Sequence, residues 1–138
     1  MNTMKVITLA TRILLGLMFF VFGLNGILHF LPTPPMPPSD ATTFITILST
    51  HSYMKFVALL MVVAGLLLLV GRFVPLALVI LAPIIVNILL FHFSLAQGKG
   101  AAAGVLAAVL ELILLFVYRL SFRGLFDAAP EVFTRSEM

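Results

Sequence analysis

Residues 73–94 (FVPLALVILAPIIVNILLFHFS) carry no formal charge. A helix needs about 20 apolar residues to cross a bilayer core, and this stretch supplies them. Inside it lie Pro83, Asn87 and His92. A proline, an amide and an imidazole are each costly in hydrocarbon unless other parts of the protein face them. Three further apolar stretches, at about 6–31, 53–70 and 100–118, can be read as the walls that do so, with the central span running over about 73–96.

Composition allows little else. The chain is 62% hydrophobic and 9% charged, against about 25% charged residues in an ordinary soluble domain. Four spans and their loops nearly exhaust 138 residues, so we expect one integral membrane domain over 1–120 and a polar tail over 121–138. The net charge of +3 comes from basic residues scattered at the expected helix ends, where they read as topology determinants rather than as a nucleic-acid surface. There is no cysteine, which excludes disulfides, thiolate metal sites, covalent haem and iron–sulfur ligation.

Along the chain, Lys5 and Arg12 precede the most apolar part of the first stretch, as in a signal peptide. That stretch is too long for a signal core and no small-x-small cleavage site follows, so it reads as a retained span. Gly16, Gly23 and Gly26 permit close helix approach, and Met18, Phe22, Asn25 and His29 fall on one helical face. The string PTPPMPP at 32–38 stops the helix and reads as a stiff extended connector. Ser39 or Asp40 can then cap a short helix bearing Phe44, Ile47, Leu48 and His51, expected at the outer interface. The triplet 71–73 leaves room only for a tight turn. In the fourth span Gly100, Gly104 and Ala108 form a small-residue stripe, with Glu111 three residues further on.

Lys5, Arg12, Arg72, Arg119, Arg123 and Arg135 fall on the side of the termini, and Lys55 and Lys99 on the other. Six against two places both termini in the cytoplasm. Short connections make neighbouring helices antiparallel, which gives an all-α, four-transmembrane-helix antiparallel bundle with a short interfacial helix between helices 1 and 2. No inverted repeat links the two halves, which weakens a secondary-transporter reading.

In that topology His29 and His92 lie near the outer ends of their helices, Asn25 and Asn87 one turn deeper, and Glu111 at about mid-depth. Asn25 and Asn87 fit helix–helix hydrogen bonds or ligand contacts. The histidines fit a wet interface. Two histidines at one level also raise haem ligation, but Asn87 and His92 are about 140° apart around their helix, and haem is not expected. Pro83 frees the carbonyl of Val79 and is expected to kink its helix. Glu111 is the sharpest signal: a carboxylate at a helix centre costs about 2.5–3.5 kcal/mol on insertion scales, so it should be neutral, paired or facing water. No metal site is expected. Arg12 and Arg119 read as headgroup anchors.

Four strings together resemble the DoxX family of membrane proteins: RILLGLMFFVFGLNGILHFLP at 12–32, GLLLLVGRFVPLAL at 65–78, APIIVNILLFH at 82–92 and LEL at 110–112. The resemblance covers about 12–118. It implies a four-helix membrane protein from a functionally diverse family, with relatives in thiosulfate:quinone oxidoreductases, in redox complexes against oxidative stress and in receptor assembly. It supports Asn25, His29, Asn87, His92 and Glu111 as pattern positions. Many members carry an acidic residue in the second helix where this chain has Met61, a departure that argues against a two-carboxylate site.

The resulting expectation is an inner-membrane accessory or quinone-interacting subunit of a redox system. In it Asn25, His29, Asn87 and His92 contact a quinone-like head group, Phe19, Phe22 and Phe91 line its apolar surroundings, and Glu111 manages protons. The alternatives are a non-catalytic assembly or scaffold protein and, third, a small-solute or proton pathway. The partners expected are the lipid bilayer, another membrane or redox subunit, or further copies of the chain.

Overall fold

The computed structural model describes residues 2–132, so Arg135 of the charge count and the last part of the 121–138 tail lie outside the described residues. The described residues form helices and no strand. These are α1 (Thr3–Leu28), α2 (Asp40–Thr50), α3 (Tyr53–Val70), α4 (Val74–Leu90), α5 (Ala102–Val117) and two irregular pieces, a π-helical turn at Phe91–Leu95 and a 3-10 helix at Arg119–Phe126. Three helical runs are long and apolar enough to cross a membrane: Thr3–Leu28, Tyr53–Val70 and Val74–Leu95. α5 makes a fourth if it is taken with the 3-10 helix, which turns away from it by 81°.

Packing closes a ring. α1 packs most extensively on α3, α3 on α4, α4 on α5, and α5 returns to α1. The α1–α3 seam shows why its glycines are glycines. A β-carbon on Gly65 would lie 2.6 Å from the Phe20 nitrogen and 2.8 Å from the Gly16 oxygen, and one on Gly23 would lie 2.8 Å from the Ala58 oxygen. Backbone therefore meets backbone, which is how helices gain dispersion contact where burial from water supplies no drive. Rising numbers on α1 meet falling numbers on α3, so the pair is antiparallel. The same holds for α4 and α5, where Gly104 faces Ile88 and Leu89 and Gly100 faces His92.

The interior is a column of Leu15, Phe19, Leu68, Leu78, Leu81, Leu110 and Leu114, eked out by Ala64, Ala77 and Ala107. The outside of the ring is apolar as well. Leu17, Val63, Val79 and Leu112, one from each long helix, are all exposed. A water-soluble bundle would place charge at such positions. Apolar residues on every outward face, together with the spans above, make this a multi-pass membrane protein.

Several local expectations are adjusted. α1 begins three residues earlier than the expected 6–31 and stops at Leu28, because His29 enters the left-handed region (φ 52°) and its N–H returns to the Asn25 carbonyl at 2.8 Å. Histidine is among the residues that tolerate this conformation. α4 passes through Pro83 unbroken, and the irregularity appears instead at Phe91–Leu95. There Ala96 N–H reaches the Phe91 carbonyl, five residues back. Residues 119–126, assigned from sequence to the polar end of the chain, are helical. Arg119 Nη1 donates to the Phe116 carbonyl at 2.9 Å, in the last turn of α5.

Candidate functional site

Glu111 is the one buried carboxylate among the described residues. It faces inward from α5 with 4% of its surface exposed, on the side that also carries Ala107, Leu110 and Leu114. Both carboxylate oxygens are buried and neither has a hydrogen-bond partner among the described residues. No group of three or more His, Asp or Glu residues that could hold a metal ion occurs among the described residues. Of the three sequence expectations for Glu111 (neutral, paired or facing water), neither a partner among the described residues nor a water-facing position is found. The pairing alternative, a bundle histidine, is not present: His29 is exposed, and His92 is engaged elsewhere.

The remaining polar residues do not converge on it. Asn25 turns back on its own chain, its Oδ1 accepting from Leu31 N–H at 2.8 Å, so it ties down the peptide that follows α1. Asn87 is exposed on the outer face of α4, and its Nδ2 donates to the Pro83 carbonyl at 2.9 Å. That bond hides one amide donor without help from another helix, which is how an asparagine can stand on an apolar surface. Phe22 is 48% exposed and points away from the core, whereas Phe19 is buried in it. A single head-group pocket built from Asn25, His29, Asn87, His92, Phe22 and Phe91 is therefore not what the fold assembles. The physical reason is angular. Gly16 and Gly23 must face α3, which turns Phe22 outward, and the inward face of α4 carries Leu81 and Ile85, which turns Asn87 outward.

His92 and Phe91 keep a polar–aromatic corner of their own. His92 is half-buried in the π-helical turn, and its Nδ1–H donates to the Ile88 carbonyl at 2.8 Å. In the neutral ring this leaves the Nε2 lone pair free, and that nitrogen lies against Gly100, where a β-carbon would stand 3.6 Å from it. The Phe91 ring meets the His92 ring edge-on at 5.1 Å and stacks on Phe44 of α2 at 5.9 Å. Irregular turns of this kind recur at functional sites. A hydrogen-bond donor brought to this corner could pair with the free Nε2. It could not touch Glu111 at the same time, since Glu111 lies nine residues beyond Ala102, the start of α5, about 14 Å along the helix.

Sequence reasoning passed over one residue. Arg12 was read as a headgroup anchor, yet it is half-buried and packs over the α3–α4 turn. A β-carbon on Gly71 (φ 75°) would lie 2.8 Å from the Arg12 Cζ, and Arg12 Nε is buried without a partner. The Arg12 position inside an apolar helix was the available signal.

The fold and site together define an all-helical protein with three or four candidate membrane spans and an isolated carboxyl group in its core. No family model, curated protein or solved structure matches the chain.

Proposed function

We propose that the protein is an accessory subunit of a quinone-linked redox system in the inner membrane, of the DoxX-like kind. In this reading four helices span, with α5 the shortest, both termini are cytoplasmic, and α2 lies in the outer interface. The distribution of cations supports the orientation: Lys5, Arg12, Arg72, Arg119 and Arg123 stand at one end of the ring and Lys55 and Lys99 at the other. Exposed Phe44 and Ile47 on α2 support its interfacial place.

The observation that carries the functional reading is the isolation of Glu111. An apolar residue at this site would spare the bundle about 2.5–3.5 kcal/mol, and no group within the described chain compensates for the carboxyl. The group therefore serves something from outside the chain, and a proton is the smallest such thing. In this proposal Glu111 holds and releases a proton in the core while the His92 corner, with Phe91 and Phe44, receives the hydroxyl edge of the reduced quinol ring, whose O–H donates to Nε2. Electrons come from a partner subunit. The head-group contacts expected of His29, Asn25, Asn87 and Phe22 are dropped.

Native mass spectrometry of the protein in nanodiscs, with turnover in membranes, tests this. The expected result is one quinone per chain that is lost in His92→Ala, and a Glu111→Gln protein that assembles normally with turnover lost. A chain that never carries quinone, with Glu111→Gln fully active, would sink the proposal. One observation favours a second reading, an assembly protein: Asn25, Asn87 and His92 all bond to their own segments and so have structural uses. In that case Glu111 awaits a basic group of a partner, and Glu111→Gln loses the partner together with the activity.

A further inference from the structure

α1 and α5 close the ring, and a furrow follows their seam at the end of the bundle that carries the termini. It consists of two hollows that share Met4 and Val117. One, of about 480 Å³, is walled by apolar side chains including Ile7, Leu112, Ile113 and Phe116. The other, of about 310 Å³, is lined by Lys5, Thr8, Leu9 and Arg12. Each falls in the size range of ligand pockets. An apolar trough that runs into a pair of cations has the layout of an amphiphile with an anionic head.

Charge decides what kind of amphiphile. α1 contains no acidic residue, and the single acidic residue of α5, Glu111, faces the core without a partner. Lys5 and Arg12 therefore have no counter-charge on either helix of the seam. The guanidinium of Arg12 is held in place against Gly71 with its Nε buried, so the two terminal nitrogens are the donors that can face a ligand in the furrow. A fixed guanidinium with donors to spare matches the paired oxygens of a phosphate. At the rim of the trough the Arg119 guanidinium stands 4.4 Å from the centre of the Phe116 ring, adding a third cation beside the apolar wall.

We propose that this furrow is a binding site for one anionic phospholipid. An acyl chain lies along Ile7, Leu112 and Phe116, and the phosphate sits between Lys5 and Arg12. A zwitterionic lipid offers the same tail without net charge, and free phosphate offers the charge without a tail. The site is independent of the proposed role of Glu111.

The full chain, purified in a neutral detergent and stripped of lipid, is titrated separately with phosphatidylglycerol, phosphatidylcholine and inorganic phosphate, and bound mass is read by native mass spectrometry. One phosphatidylglycerol per chain is expected to remain under conditions that remove phosphatidylcholine. Lys5→Gln and Arg12→Gln should each weaken retention roughly fivefold, the conversion of about 1 kcal/mol per cation. Leu112→Trp should block the trough, and Lys55→Gln, at the opposite end, should change nothing. Lys5 and Leu112 are exposed, so those variants keep the fold, which circular dichroism checks. Equal retention of the two lipids, or wild-type retention in Lys5→Gln and Leu112→Trp, would overturn the site. So would inorganic phosphate binding as tightly as the lipid, since that makes it a free-anion site.

Discussion

Single residues in this protein divide by whether their polar groups are satisfied. Asn25, Asn87 and His92 each find a backbone carbonyl or amide within their own segment, at 2.8–2.9 Å. Glu111 finds nothing among the described residues. Opposite outcomes of mutation follow. Replacing Asn25 with Ala removes the acceptor of Leu31 N–H and should cost about 1 kcal/mol, read as a lower unfolding midpoint in detergent. Replacing Glu111 with Leu removes a buried group that no interaction supports, and should leave stability unchanged or raise it. A loss of several kcal/mol in Glu111→Leu would mean that the carboxyl has a partner within the fold.

Among the elements, the α1–α3 pair is the tightest joint, and it is a joint of backbones rather than of side chains. Gly65→Val should therefore cost about 1–3 kcal/mol or more, because Phe20 N and Gly16 O are main-chain atoms of α1 that cannot turn aside. Gly124→Ala, with no heavy atom within 4 Å of the added carbon, is the matched control and should be silent in the same thermal-unfolding assay. α4 is constrained differently. It carries Pro83 without a break and loosens only at Phe91–Leu95, where the His92 side chain itself competes for the Ile88 carbonyl. Substituting His92 with Leu should regularise that turn, seen as slower amide exchange over 91–96.

For the whole molecule, the ring of four helices carries apolar residues on the inside and outside alike, so the two ends are its main polar surfaces. Because the chain has no cysteine, single cysteines report sidedness cleanly. In intact cells Ser49→Cys, on α2, should react with a membrane-impermeant maleimide. Ser121→Cys, beyond α5, should react only after the membrane is opened. The reverse pattern would invert the proposed topology and place the Lys5–Arg12 furrow in the outer leaflet.

Much of this was legible in the residues alone. The positions of α3 and α4, the capping of α2 by Ser39 and the glycine contacts of α1 all follow from hydrophobic length, turn chemistry and helical spacing. These are properties of neighbours within one segment. The composition of the candidate site did not follow. In a bilayer protein both the inside and the outside of a helix are apolar, so the pattern along α1 or α4 does not say which face looks inward. Only the meeting of Gly16 and Gly65 turned Phe22 outward. Only the ring of four helices put Asn87 on its surface, Glu111 in its core and Arg12 against Gly71.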